Sequence, residues 1–224
     1  MPVDLGILTD RPFAGVIFDM DGTLVDSIPA MVRSWTTWAI EHGVTAEQLQ
    51  GFHGVPAAGV IASLLPADQV EQALVRISEL EESDVDGVIP LPGAQQALAN
   101  LSSGHVAMAT SCHLRLATAR IAAAGLTPPE VLVTVDDVAR GKPAPDPFLL
   151  AAERLGVPPA DCLVVEDAPK GVEAARAAGC SVLAVLVTTP ADLLLADAVV
   201  PNLSAVRFVP GPDGIRVEPT DQED

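Results

Sequence analysis

Lysine is almost missing from this chain: Lys142 and Lys170 are the only two, beside ten arginines and against thirty aspartates and glutamates. The formal net charge is −18. So acidic a balance excludes nucleic acid as a partner, because affinity for a polyanion comes largely from counterions released by lysine and arginine. It also makes any phosphorylated substrate a difficulty. Repulsion is screened beyond a Debye length of about 8 Å at physiological salt, so a small anion can still be captured by a local positive centre, either a metal ion or a lysine. Long apolar runs are missing too: no stretch approaches the ~20 residues of a membrane span. The N-terminus, with Asp4 and Asp10, lacks the basic start of a signal peptide, which implies a cytoplasmic protein without a membrane partner. Cysteine is scarce. Cys112, Cys162 and Cys180 cannot all pair with one another and none sits in a CxxC spacing, so nothing points to zinc or dithiol chemistry and the three read as buried thiols.

What is present is organised around Phe18-Asp19-Met20-Asp21-Gly22-Thr23-Leu24. The apolar run Ala14 to Phe18 reads as a buried strand, and the first carboxylate appears where that run ends. In open α/β sheets ligands bind at the carboxyl ends of strands. Asp19 and Asp21 are two residues apart, so in an extended chain they share a face, and Gly22 lets the backbone turn away at once. Crowded carboxylates favour either a bound cation or a raised pKa on one of them. An ionised carboxylate can be a nucleophile, its neighbour can carry a proton, and a divalent cation can neutralise phosphate oxygens between them. The competing reading of this stretch is an Asp-Gly turn after a strand and nothing more.

The remainder of the chain decides between them. From Ser27, which can cap a helix, the period becomes helical until Gly43, with Met31, Trp35, Trp38 and Ala39 on one face. Residues 45–50, 56–65 and 67–82 read as further helices, so residues 27–89 form a helical, acidic insertion without a convincing strand. Ile89-Pro90-Leu91-Pro92-Gly93 is the return hinge. Beyond it helices at 94–101, 114–124, 146–155 and 169–178 alternate with strands at 105–110, 131–135, 162–165 and 181–187, the pattern of a parallel sheet with helices on both faces. Val199 and Val200, and residues 206–209, read as added edge strands, residues 1–13 as a segment wrapping the sheet edge, and the acidic end from Glu218 as disordered. The fold class expected is therefore α/β: a doubly wound, Rossmann-like parallel-sheet core, residues 1–26 and 90–224, with an inserted all-helical cap, residues 27–89.

Polar residues collect at the strand ends. Thr110-Ser111 ends the second strong strand, where a hydroxyl and the following backbone N–H groups can hold a phosphate oxygen, or cap the next helix, or both. Gly141-Lys142-Pro143 places one of the two lysines on a stiff loop, extended before its proline, from which it can reach phosphate and carboxylate as a point charge. Glu166-Asp167 puts adjacent acids after a buried run, which is unfavourable unless they are paired or metal-bound. Together with Asp19 and Asp21 they make an oxygen-only cluster suited to magnesium. A helix N-terminal acid pair is the alternative and explains the acids less well.

Taken in order, Phe18 to Leu24, Thr110-Ser111, Gly141-Lys142-Pro143 and Glu166-Asp167 resemble the motifs of the haloacid dehalogenase-like hydrolase superfamily, with a helical cap between the first and second. The cap, His53-Gly54, Leu91 to Ala94 and Glu166 to Gly179 are most similar to its sugar and polyol phosphate phosphatases. The resemblance implies a Mg²⁺-dependent phosphomonoesterase acting on a small phosphorylated metabolite, as a monomer or homodimer. Asp19 would attack phosphorus and form an aspartyl-phosphate; Asp21 would protonate the leaving alkoxide and then activate water. Thr110, with Ser111, would grip the phosphoryl oxygens and Lys142 would stabilise the charge. Mg²⁺ would sit between Asp19, the backbone carbonyl of Asp21, and Asp167, with Glu166 as ligand or behind one.

Departures from relatives narrow the implication. The dehalogenases do without the second acid, here Asp21; the phosphonate hydrolases need a cap lysine, and residues 27–89 contain none. The similar β-phosphoglucomutases carry a histidine where this chain has Met31 and an arginine where Ala57 falls. A phospho-accepting signalling switch would lack the cap and would not want Asp21 hastening hydrolysis. Two readings stand for His53: a contact to a sugar hydroxyl or phosphate, or a loop histidine at the domain seam.

Overall fold

The computed structural model describes residues 4–49 and 57–220. The chain builds a six-stranded parallel sheet from β1 (Gly15–Phe18), β4 (Val106–Ala109), β5 (Val131–Val133), β6 (Cys162–Glu166), β7 (Ser181–Val185) and β8 (Ala198–Val200), in the order β5-β4-β1-β6-β7-β8. Alternate residues of each strand serve opposite faces. Val16 and Phe18 of β1 join one apolar cluster with Leu163, Val165, Leu183 and Val185; Ile17 joins the other with Val164, Val182 and Ala184. Helices α4 (Ala94–Ala99) and α5 (Leu114–Ala123) cover the first face, and α6 (Asp146–Leu155) and α7 (Pro169–Ala177) the second. Because both faces are covered, β1, β4 and β6 are buried at every position and read in sequence as continuous apolar runs. The architecture is the doubly wound, Rossmann-like α/β fold.

The sheet order reverses at β1, which pairs with β4 on one side and β6 on the other. The register sets Phe18 opposite both Met108 and Val165, so the residues that leave these three strands emerge together. That reversal is where a doubly wound sheet opens a ligand crevice.

Between β2 (Val25–Asp26) and β3 (Ile89–Pro90) the chain leaves the sheet to form α1 (Ile28–His42), α2 (Ala57–Leu64) and α3 (Ala67–Ser83). These helices carry their own apolar cluster around Trp38, Ile61, Ala73 and Ile77. Trp38 is fully buried, donates its indole N–H to the Ala73 carbonyl at 3.0 Å and stacks on His42, so its place is in the packing of the insertion. The outgoing and returning crossings pair as antiparallel strands, Val25 opposite Pro90 and Asp26 opposite Ile89. Sequence patterning marks the hinge at Ile89-Pro90 but not its partner.

Three expectations need correction. Residues 45–49 form a turn and not a helix: Thr45 and Gln48 exchange backbone-to-side-chain hydrogen bonds at 2.8 and 3.3 Å, a helix-start signature on a turn, and Gln50 lies outside the described residues. Residues 206–209 do not extend the main sheet. They lie in β9 (Val206–Gly211), which pairs antiparallel with β10 (Gly214–Pro219) in a separate hairpin. Phe208, Ile215 and Val217 cover the first face, with Phe208 edge-on to Phe18 at 5.4 Å. The start of the acidic end is accordingly part of a strand, with Glu218 opposite Arg207 and bonded to it at 3.1 Å, and residues 221–224 lie outside the described residues. The hairpin also holds the N-terminal segment through reciprocal Phe13–Ile215 backbone bonds of 2.8 Å. Among the described residues no helix is long and apolar enough to cross a membrane.

Candidate active site

Asp19 is the first residue past β1, and its N–H donates to the Val165 carbonyl at 2.9 Å, tying it to the end of β6. The backbone then makes a single helical turn: the N–H groups of Thr23, Leu24 and Val25 converge on the Met20 carbonyl at 3.3, 2.8 and 2.9 Å. Gly22 makes the turn possible. Its φ of +84° suits glycine, and a Cβ there would lie 2.1 Å from Asp167 Oδ2. The turn separates the two aspartates, so Asp19 is buried while Asp21 faces the insertion.

Asp19, Glu166 and Asp167 bring a carboxylate oxygen each within 4.8 Å of one another, all three buried. Lys142 enters this group from the loop before α6. Its ammonium donates to Asp19 Oδ1 at 2.5 Å, Glu166 Oε1 at 2.8 Å and the Ala109 carbonyl at 3.0 Å, and lies over the Phe148 ring. The loop turns, with a cis Lys142–Pro143 bond and an Ala144 N–H to Gly141 carbonyl bond of 3.0 Å, where sequence indicates extended chain.

One ammonium among three buried carboxylates leaves an excess of negative charge. Burial pushes the Asp19 carboxyl well above the usual range; Lys142 pulls it back, while Glu166 and Asp167 push it further up. Asp167 is pushed up to about 7, by burial first and then by Glu166. For Lys142 burial opposes the charge, but Asp19 and Glu166 outweigh it and the ammonium is held protonated. The group therefore fits a further hard cation with oxygen ligands, such as Mg²⁺. Glu166 has little left to offer it: Oε1 takes Lys142, and Oε2 takes the N–H groups of Asp167 and Ala168 at 2.8 and 2.9 Å. Asp19 and Asp167 are freer and would be the better direct ligands of such a cation.

Glu166 packs against Gly171 of α7, where a Cβ would fall 1.6 Å from Oε1 and 1.9 Å from the carboxyl carbon. Gly171→Ala is therefore expected to destabilise the protein although alanine favours helix by about 1 kcal/mol. Overpacking costs about 1–3 kcal/mol, and displacing Glu166 also strips Lys142 of a partner, so the net loss is about 2 kcal/mol or more. Urea unfolding measures it. A variant as stable as the wild type would mean that Glu166 has another seat.

The other candidates are placed as follows. Thr110 is buried at the end of β4, and its Oγ1 accepts the Cys112 N–H at 3.1 Å; Ser111 beside it is exposed. The Asp21 carboxylate is not in the three-acid group. Its Oδ1 accepts from Ser27 Oγ at 2.5 Å and an Arg120 nitrogen at 3.0 Å, and its Oδ2 from Cys112 Sγ at 3.0 Å. Any metal contact from Asp21 thus falls to its backbone carbonyl. Ser27 precedes α1 without capping it, because its hydroxyl is engaged by Asp21. Cys112 is half-buried, not buried, and remains a thiol, since desolvation and the Asp21 charge push its pKa well up. His53 lies outside the described residues.

Two participants escape sequence reading. Thr188, just past β7, donates its hydroxyl to Asp167 Oδ2, and its signal is the Thr-Thr pair ending an apolar run. Arg120 carries no local signal at all: it is a helix residue brought to Asp21 only by the packing of α5.

A family model described as haloacid dehalogenase-like hydrolase matches residues 13–179. Hexitol phosphatase A of Escherichia coli is 40% identical over 209 residues, covering 89% of this chain and 96% of that protein. A fructose-1-phosphate phosphatase of the same organism is 36% identical over 175 residues, covering 75% and 93%. Among solved structures, a hydrolase from Pseudomonas syringae superposes with a TM-score of 0.73 at 28% identity, over 84% of this chain and 93% of that one. With the motifs in order and the acids gathered at the crevice, the chain belongs to the haloacid dehalogenase-like hydrolases.

Proposed function

We propose that this phosphoric monoester hydrolase releases inorganic phosphate from a sugar or polyol phosphate, with Asp19 as nucleophile and Mg²⁺ as cofactor. The observation that carries the reading is the seat of Asp19: a buried carboxylate at the carboxyl end of β1, 2.5 Å from Lys142 and beside Glu166 and Asp167. The substrate class rests on the relatives named for hexitol and fructose 1-phosphate hydrolysis.

Asp19 and Asp167, with the Asp21 carbonyl, would hold the Mg²⁺. When bound, it supplies the charge neutralisation that lets an anionic nucleophile meet an anionic phosphate. An oxygen of Asp19 forms the new bond to phosphorus as the ester P–O bond breaks, and the leaving oxygen takes a proton from the Asp21 carboxyl. Water then attacks the aspartyl-phosphate, gives its proton to Asp21, and Asp19 is freed with release of phosphate. Lys142 keeps Asp19 oriented and offsets charge on the transferring group. Thr110 and the backbone at Ser111 hold the phosphoryl oxygens. The helical insertion, residues 27–89, acts as a cap that excludes water and selects the leaving group.

Phosphate release from hexitol, hexose, glycerol and nucleoside monophosphates, measured with Mg²⁺ or excess chelator, tests this. Metal-dependent turnover is expected, fastest with hexitol and hexose phosphates. A single stoichiometric release of leaving group without turnover would replace the hydrolase reading with a signalling switch.

A further inference from the structure

Of the three donors on Asp21, Ser27, at the start of the insertion, and Cys112, from the loop before α5, are neutral; Arg120 alone is charged, and it is also held by α3 of the insertion. One terminal nitrogen of its guanidinium reaches Asp21 Oδ1 at 3.0 Å and the other reaches Glu81 Oε1, on α3, at 3.2 Å. The side chain is 5% exposed, and Glu81 only 14%. Its Nε is buried without a partner, so the fork is spent at its two ends, one carboxylate on each, with the nitrogen on Asp21 also donating to Cys112 Sγ at 3.4 Å. A buried guanidinium with an orphaned nitrogen is a poor way to gain stability, and its geometry has a different consequence. The guanidinium is planar and rigid, so it fixes the spacing between Glu81 of the insertion and Asp21 of the core. Other ion pairs of the insertion do not do this. Arg33–Asp84 and Arg76–Glu41 are more exposed and tie its helices to one another, and Arg115–Glu82 joins α5 to the end of α3 without reaching Asp21.

We infer that Arg120 is the positioning residue for the acid–base group Asp21, and that Glu81 makes this positioning depend on where the helical insertion sits. The inference rests on the phosphatase reading above and extends it to chain-specific residues. A shift of α3 by about 1 Å carries the Glu81 bond beyond hydrogen-bond length or drags the guanidinium with it. Asp21 is then aimed at the leaving oxygen only while α3 is seated. In this way binding of a leaving group under the insertion is tied to delivery of the proton that the same leaving group needs.

Leaving-group dependence separates this role from a structural one. An alkoxide must be protonated as it departs, whereas p-nitrophenolate leaves without a proton. The quantity to compare is kcat/KM, which covers steps only through formation of the aspartyl-phosphate, before Asp21 acts on water. For Glu81→Gln and Arg120→Lys, kcat/KM for a hexitol phosphate is expected to fall about 10- to 100-fold, and for p-nitrophenyl phosphate by no more than about threefold. Equal losses on both esters, or no loss on either, would overturn the inference while leaving the phosphatase reading intact. If Arg120→Lys loses its circular dichroism signal, Glu81→Gln decides alone, since it leaves Arg120 its Asp21 partner. A wild type that hydrolyses neither ester would remove the phosphatase reading and this inference with it.

Discussion

Asp19→Asn will abolish turnover of every phosphate ester, by about 10⁴-fold or more, and will leave the fold at least as stable as the wild type. The first half follows from chemistry. An amide oxygen does not make a stable bond to phosphorus that water can later cleave, and no other carboxylate can take over. Glu166 is spent on Lys142 and two backbone N–H groups, Asp21 is turned toward Arg120, and Asp167 accepts from Thr188 and is the carboxylate left to hold the cation. The second half follows from electrostatics. Asp19 is a buried acid whose carboxyl is pushed well up by burial and by its acidic neighbours. Asparagine keeps an oxygen for the Lys142 ammonium and removes one negative charge from a group that has too many. In chelator, urea unfolding is expected to show a gain of about 1 kcal/mol, since replacing buried charge is often neutral or stabilising. Release of phosphate by the variant at a few per cent of the wild-type rate would remove Asp19 as nucleophile. Loss of the fold would show that its charge is structural.

Much of the site is legible in the chain because strand ends are. Asp19, Thr110 and Glu166-Asp167 each follow a run that is apolar because both faces of the sheet are covered, so the switch to polar residues marks the crevice directly. Lys142 is legible for another reason: it is one of only two lysines, and it sits between a glycine and a proline. What is not legible is whatever depends on two elements meeting. Arg120 lies on α5 with no neighbour in sequence that explains it, and its two carboxylate partners are 99 and 39 residues away. The pairing of Val25-Asp26 with Ile89-Pro90 spans the whole insertion, and two-residue strands leave no periodicity to detect. The β9–β10 hairpin is legible only in its first half. Pro210, Gly211, Pro212, Asp213 and Gly214 read as the end of a strand, whereas the alternation of Val206, Phe208, Ile215 and Val217 across them buries one face of the hairpin. Thr45 to Leu49 shows the reverse failure: the reciprocal Thr45–Gln48 bonds are a good local start signal, yet these residues form only a turn.

Lys142→Met is the complementary substitution, and its effects should be opposite to those of Asp19→Asn in stability though similar in activity. Methionine fills most of the volume but leaves Asp19, Glu166 and Asp167 buried together without the ammonium that bonds two of them. Breaking a buried ion pair from one side typically costs about 3–5 kcal/mol, so in chelator the variant should unfold at distinctly lower urea than the wild type. Turnover should fall about 10³-fold or more, since the charge that faces the transferring phosphoryl is gone. Divalent cation then separates the site's two positive centres. If the carboxylates are the metal's ligands, removing Lys142 raises their appetite for another cation, and saturating Mg²⁺ should stabilise Lys142→Met more than it stabilises the wild type, by ligand linkage to the folded state. The measurement is the shift in urea midpoint between chelator and Mg²⁺ for each protein, and it requires no activity. Equal shifts would mean that the cation binds away from Lys142 and its carboxylates, and would move the metal out of this site.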